Sequence, residues 1–96
     1  FVPYLYQSLL LNYMANGAKI NAEGNEIAEK IIDLYKKGDQ NASESRVTAT
    51  YTILIDSLNK DGKTEEAIKK CEEGLQVLPG NANLQETLDR LTAKKK

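Results

Sequence analysis

The chain has 96 residues, of which 41% are hydrophobic, and a net charge of −1, which fits one domain near the lower size at which a hydrophobic core is self-sufficient. Its longest apolar run, residues 9–11, is far shorter than the ~20 residues of a spanning helix, so we expect no signal peptide and no membrane insertion. The sequence has no histidine, no glycine-rich phosphate loop and one cysteine, so we expect no enzyme, no metal site, no cofactor and no small-molecule substrate.

The first predicted hairpin covers residues 3–38. Its first helix carries apolar residues at the i, i+3, i+4, i+7 spacing of one helical stripe: Tyr6, Leu9, Leu10 and Tyr13. Gly17 can adopt the left-handed conformation that ends a helix. A second helix is predicted over about residues 25–37, with an apolar side formed by Ile27, Ala28, Ile31, Ile32, Leu34 and Tyr35.

The second predicted hairpin covers residues 43–79, after a link in which Asn41 or Ser43 caps the third helix. The third helix repeats the spacing of the first position for position, with Tyr51, Leu54, Ile55, Leu58 and Gly62. Thr64 is expected to cap a fourth helix, which Pro79 and Gly80 end. Its apolar stripe is Ala67, Ile68, Cys71, Leu75 and Leu78.

The two hairpins differ in the length of the turn between their helices. Gly17 and Ala28 are eleven residues apart, whereas Gly62 and Ala67 are five apart, so the first turn is six residues longer. Surface loops tolerate such insertions at small entropic cost. We expect Leu54 to lie in the core together with Ala67, where the two helices of the second hairpin cross.

A final helix is predicted over residues 81–94. Asn81 can cap its first turn, and Leu84, Leu88 and Leu91 share one stripe. One apolar stripe behind a cap is typical of the terminal helix that covers the end of a helical array.

Residues 48–81 resemble a tetratricopeptide repeat, whose period is about 34 residues. Ile55 departs from the family pattern, which normally has glycine or alanine there. The first half of this window resembles a pentatricopeptide repeat even more closely. The opening helix of that repeat commonly has a tyrosine, two further residues, leucine and isoleucine, and then a later lysine and glycine. The residues that match the tetratricopeptide pattern are Tyr51, Leu54, Leu58, Gly62, Ala67, Leu75 and Pro79.

The resemblance implies an all-α fold, an α-solenoid of antiparallel hairpins with about two repeats and a C-terminal capping helix. We expect residues 1–96 to form one domain of a longer protein, with a preceding repeat or domain packed on the apolar N-terminal residues. The alternative is that Pro3 begins the first helix and the neighbouring aromatic side chains fold back onto the domain's own core.

Tetratricopeptide arrays mostly bind proteins, so the resemblance implies a protein-interaction or scaffold module within a larger protein or complex. Its candidate partner-binding face comes from the first helix of each hairpin. Chaperone-binding members place lysine and asparagine at the sites held here by Gln7 and Leu11, so the clamp for a C-terminal carboxylate is missing. The candidate binding residues are Gln7, Leu11, Met14, Thr52, Asp56, Asn59 and Lys60.

Pentatricopeptide arrays bind single-stranded RNA, and an RNA-binding repeat of an organellar factor is the alternative function. Ser8 fits the base-reading position of that family, but Ile53 does not. A net charge of −1 also offers little neutralisation of phosphates. Because Cys71 lies on an apolar stripe, we expect an inert buried thiol and an intracellular, reducing compartment, either the cytoplasm or an organelle.

Overall fold

The computed structural model describes the backbone of residues 2–95 and the side chains of residues 2–93. This part of the chain is all-α, as predicted, and contains five helices. They are α1 (Val2–Ala15), α2 (Ala22–Lys36), α3 (Glu44–Lys60), α4 (Thr64–Val77) and α5 (Ala82–Lys95). None of these helices has the length and apolar character that crossing a membrane requires.

Each helix packs antiparallel against the next one in the chain, and α3 also contacts α1 and α5. The helices therefore form two layers, with α1, α3 and α5 in one layer and α2 and α4 in the other. The Cα atoms span 41 × 30 × 15 Å, and the shortest dimension fits two helical layers whose axes lie about 10 Å apart. That these helices form a solenoid of repeated hairpins stays a prediction.

The core lies between the two layers and contains the residues predicted at the crossing of α3 and α4. Leu54 and Ala67 are both buried, which confirms this part of the sequence analysis. Leu9 and Ala28 are the equivalent residues of α1 and α2, and they are buried as well. Equivalent positions of the two helix pairs are therefore buried.

The turns show where the longer connection of the first hairpin goes. Gly17 and Gly62 adopt the left-handed conformation, with φ of 69° and 77°, and end α1 and α3 in the same way. Helix α2 begins at Ala22, three residues before the predicted start, because the Asn21 side chain accepts a hydrogen bond from the Gly24 N–H at 3.0 Å. The first hairpin has six more residues than the second between the glycine of its turn and the alanine of its second helix. Three of them extend α2 at its start, and three lengthen the loop.

The capping predictions have mixed outcomes. Ser43 caps α3 by accepting a hydrogen bond from the Arg46 N–H at 3.2 Å, which confirms one of the two candidates. The prediction that Thr64 caps α4 is wrong. Thr64 is the first residue of that helix, and Lys63 before it makes no side-chain capping bond. The Thr64 hydroxyl donates instead to the Asn59 side-chain oxygen at 3.4 Å, across the turn.

Helix α5 is held against α3 and α4 by close packing around Gly74. A Cβ at Gly74 would lie 2.9 Å from Leu84 Cδ1 and 3.2 Å from Tyr51 Cγ. Tyr51 and Leu84 are both buried, so glycine is what allows α4 to approach them this closely. The Tyr51 hydroxyl donates to Glu73 on α4 at 3.1 Å. This packing fixes the position of α5, which forms one wall of the groove described next.

Candidate functional site

An open groove with a volume of about 890 Å³ runs along the layer formed by α1, α3 and α5. Helices α2 and α4 contribute no residue to its lining. Because successive helices are antiparallel, these three helices run in the same direction, with α3 as the floor and α1 and α5 as the walls. The groove therefore combines side chains from the first helix of each predicted hairpin with those of the last helix.

The α1 wall is formed by Tyr6, Leu10 and Tyr13. These residues recur every three or four positions, so they occupy one side of the helix, next to the buried Leu9. All three wall residues are half-buried, because one side of each packs on the core and the other faces the groove. The wall is therefore apolar, with a phenol group at two points.

The floor is provided by α3, and the hydroxyls of its two threonines donate within the helix. The Thr48 hydroxyl donates to the Glu44 carbonyl at 2.8 Å, and the Thr52 hydroxyl donates to the Thr48 carbonyl at 2.9 Å. These bonds use the hydroxyl protons inside the helix. Ala49 and Ile53 supply the apolar part of the floor.

Asn81 joins the α5 wall to the floor. Its side-chain amide donates to Thr48 Oγ1 at 2.8 Å and to a Glu44 carboxylate oxygen at 3.3 Å. Its side-chain oxygen accepts from the Leu84 N–H at 3.0 Å, which confirms the predicted cap of the last helix. One asparagine thus begins α5 and fixes it to α3, and this places Glu86 along the groove.

Tyr13 and Asp56 meet at the end of the groove near the C-terminus of α3. The Tyr13 hydroxyl donates to Asp56 Oδ2 at 3.2 Å. Burial raises the pKa of the Tyr13 phenol, and the nearby Asp56 charge raises this pKa further. Lys60 lies beside this pair, with its ammonium 5.6 Å from the centre of the Tyr13 ring and 3.0 Å from the Ala18 carbonyl oxygen.

The charges that line the groove all have the same sign. Glu44, Asp56 and Glu86 line it, and no described lysine or arginine side chain does. None of these three carboxylates has a described lysine or arginine nitrogen within 4.0 Å. Lys60 lies beside Tyr13 at one end of the groove, where its ammonium donates to the Ala18 carbonyl. The groove is therefore acidic as well as partly apolar.

The structure divides the predicted binding residues between separate surfaces. Thr52 and Asp56 line the groove. Asn59 and Lys60 lie at the C-terminal end of α3 and make the local contacts described above. The remaining three residues are exposed on the outer face of α1 and do not line the groove: Gln7, Leu11 and Met14.

The outer face of α1 is apolar. Tyr4, Leu11 and Met14 are 72%, 60% and 74% exposed, and their spacing puts them on one stripe, roughly opposite the buried Leu9. The sequence analysis placed the binding surface of α1 on this stripe and assigned Tyr6, Leu10 and Tyr13 to the core. In the structure those three residues form a wall of the groove. The two tyrosines were a usable signal, because a phenol group needs a polar partner or water.

Metal-binding groups and the cysteine were the remaining candidates for a chemical site. No group of three or more histidine, cysteine or acidic residues within this part is arranged to hold a metal ion. Cys71 is buried, as predicted, and burial raises the pKa of its thiol to about 11. No protein-family model matches the chain, and comparisons with curated proteins and with solved structures found no match.

Proposed function

We propose that this chain is a non-catalytic protein-binding module of the tetratricopeptide type, acting within a larger protein or complex. The observation that carries the proposal is the open groove, because its floor and α1 wall come from the first helices of the two hairpins that resemble repeats. Half-buried Tyr6, Leu10 and Tyr13 offer apolar contact area at small entropic cost, since they are already held by the core.

The groove favours a protein ligand over RNA. Nucleic-acid binding depends on lysine and arginine side chains that neutralise phosphates. Three carboxylates line this groove, so phosphates would be repelled from it. Ile53, which occupies a base-reading position in the pentatricopeptide alternative, adds apolar surface to the floor. Single-stranded RNA binding is therefore kept as an outcome of the test.

The test compares two double variants that introduce the same two glutamines on different surfaces. Ala49→Gln with Thr52→Gln fills the floor of the groove, whereas Leu11→Gln with Met14→Gln changes the exposed outer face of α1. Both variants keep the net charge. Affinity capture from cell extract, followed by mass spectrometry, measures which proteins each variant retains.

We expect the groove variant to lose the partners of the wild type and the outer-face variant to keep them. Circular dichroism should show the same helical content for both variants. Loss of partners by the outer-face variant alone would show that partners bind the outer face of α1 and not the groove. Tight, sequence-selective binding of single-stranded RNA at physiological salt would replace the proposal with the pentatricopeptide alternative.

A further inference from the structure

We propose that the groove selects a cationic segment of a partner protein, one in which lysine or arginine side chains accompany apolar ones. This inference rests on the protein-binding function proposed above and specifies the chemistry of the ligand. The evidence for it is the charge of the groove. Its lining includes Glu44, Asp56 and Glu86 and no described lysine or arginine side chain.

The negative charge is spread along the groove. Glu44 and Asp56 are twelve residues apart on α3, which is about 18 Å along the helix axis. That separation is far too large for both carboxylates to bind one metal ion. A ligand that uses both charges must therefore be an extended molecule with more than one cationic group, and a basic peptide segment has this form.

The three carboxylates keep acceptor capacity for such a ligand. Asp56 accepts one hydrogen bond from Tyr13, and Glu44 accepts one from Asn81. A carboxylate has about four acceptor sites, so both can accept further donors from an ammonium or a guanidinium group. Several acidic residues outside the groove are already held in ion pairs, as Asp61 is with Lys19 at 2.7 Å.

The apolar part of the groove indicates that the ligand does not bind through charge alone. Tyr6, Leu10 and Ile53 line the groove together with the carboxylates. The faces of Tyr6 and Tyr13 can also attract a cation, as the Lys60 ammonium near the Tyr13 ring shows. A segment that alternates basic and apolar side chains satisfies both components of this surface, whereas an acidic segment meets like charge.

The variants for the test remove charge and keep shape. Asp56→Asn keeps an acceptor for the Tyr13 hydroxyl, and Glu86 has no described hydrogen bond that Glu86→Gln would lose. Glu44 is left unchanged because its carboxylate accepts a hydrogen bond from Asn81, which fixes α5 to α3. The matched control is Glu66→Gln with Glu72→Gln, two exposed residues of α4 that lie outside the groove.

The experiment selects binders to the wild-type chain from a random library of 12-residue peptides. We expect the enriched peptides to be net positive and to contain apolar residues. In fluorescence anisotropy titrations, the groove double variant should bind the best peptide about tenfold more weakly, as expected for two partly exposed charge pairs. The α4 double variant should bind it as well as the wild type does.

The outcomes separate this inference from the proposed function. Enrichment of neutral or acidic peptides that the bulky Ala49→Gln and Thr52→Gln variant no longer binds would refute the cationic ligand and keep the groove as a protein-binding site. Basic peptides that bind equally well to that bulky variant would refute both. If the α4 double variant weakened peptide binding equally, the effect would come from the net charge of the protein and not from the groove, which would refute the inference. A selection without enriched peptides would also count against the inference.

Discussion

Leu54 and Leu11 provide a direct test of the packing, because the same side chain is 2% exposed at one position and 60% exposed at the other. Leu54→Ala removes apolar atoms from a closed site. The lost burial and the remaining cavity together lower the free energy of unfolding by about 2–5 kcal/mol. Since a domain of this size is stable by about 5–15 kcal/mol, the substitution removes a large part of the total.

Leu11→Ala is the matched control. The Leu11 side chain is already mostly in water, so its removal exposes little additional apolar surface and leaves no cavity. Alanine also has a slightly higher helix propensity than leucine. We therefore expect the free energy of unfolding to change by less than about 1 kcal/mol.

Urea denaturation followed by circular dichroism measures both effects. With a slope of about 1–3 kcal/mol per molar urea, Leu54→Ala should lower the midpoint by at least about 0.7 M, with an unchanged slope. Leu9→Ala should give a similar decrease, because Leu9 is buried at the equivalent position of α1. Equal midpoints for Leu54→Ala and Leu11→Ala would refute the assignment of Leu54 to the core and of Leu11 to the outer face.

Two further predictions concern the packing and ionisation of the α4 layer. Gly74→Ala should lower the melting temperature, because overpacking against Leu84 and Tyr51 costs about 1–3 kcal/mol, and over most of that range the cost exceeds the roughly 1 kcal/mol gained in helix propensity. A higher melting temperature would contradict the close approach. Burial in the folded state raises the pKa of the Cys71 thiol from 9.0 to about 11. The stability that the neutral thiol contributes is therefore present below pH 9 and is lost as the pH rises towards 11. The loss is at most about 1.4 kcal/mol per pH unit. The stability difference between the wild type and Cys71→Ala should therefore shrink above pH 9 in urea titrations, and a constant difference would contradict the shift.

The sequence allowed the all-α class and the core to be predicted because both depend on local spacing. Apolar stripes at helical period identify which residues face inward, and Leu54 and Ala67 follow that rule. Capping is harder to predict, because several neighbouring polar side chains can accept a hydrogen bond from the first N–H groups of a helix. Asn81 and Ser43 were correctly predicted, whereas Thr64 is the first residue of its helix and not its cap.

The groove could not be predicted in the same way, because the exposure of a residue at the edge of a stripe depends on how many helices surround it. Leu10 and Ile55 have the same position in their helices. Ile55 is buried, since α3 contacts helices on several sides, but Leu10 on α1 is half-buried and lines the groove. No spacing rule applied to one helix distinguishes these two cases. The α5 wall likewise depends on the contact between Asn81 and Thr48, which are far apart in sequence.

The internal hydrogen bonds of the groove determine what a ligand can gain there. Among the described side chains, every buried nitrogen and oxygen has a hydrogen-bond partner, so the groove has no buried side-chain polar group that a ligand must satisfy. Binding energy must therefore come from covering the half-buried Tyr6 and Leu10 and from pairing charges with Asp56 and Glu86. Salt screens exposed charges beyond about 10 Å at 0.1 M ionic strength but leaves apolar burial intact. A cationic, partly apolar ligand should therefore lose part of its affinity as salt is raised and keep the remainder.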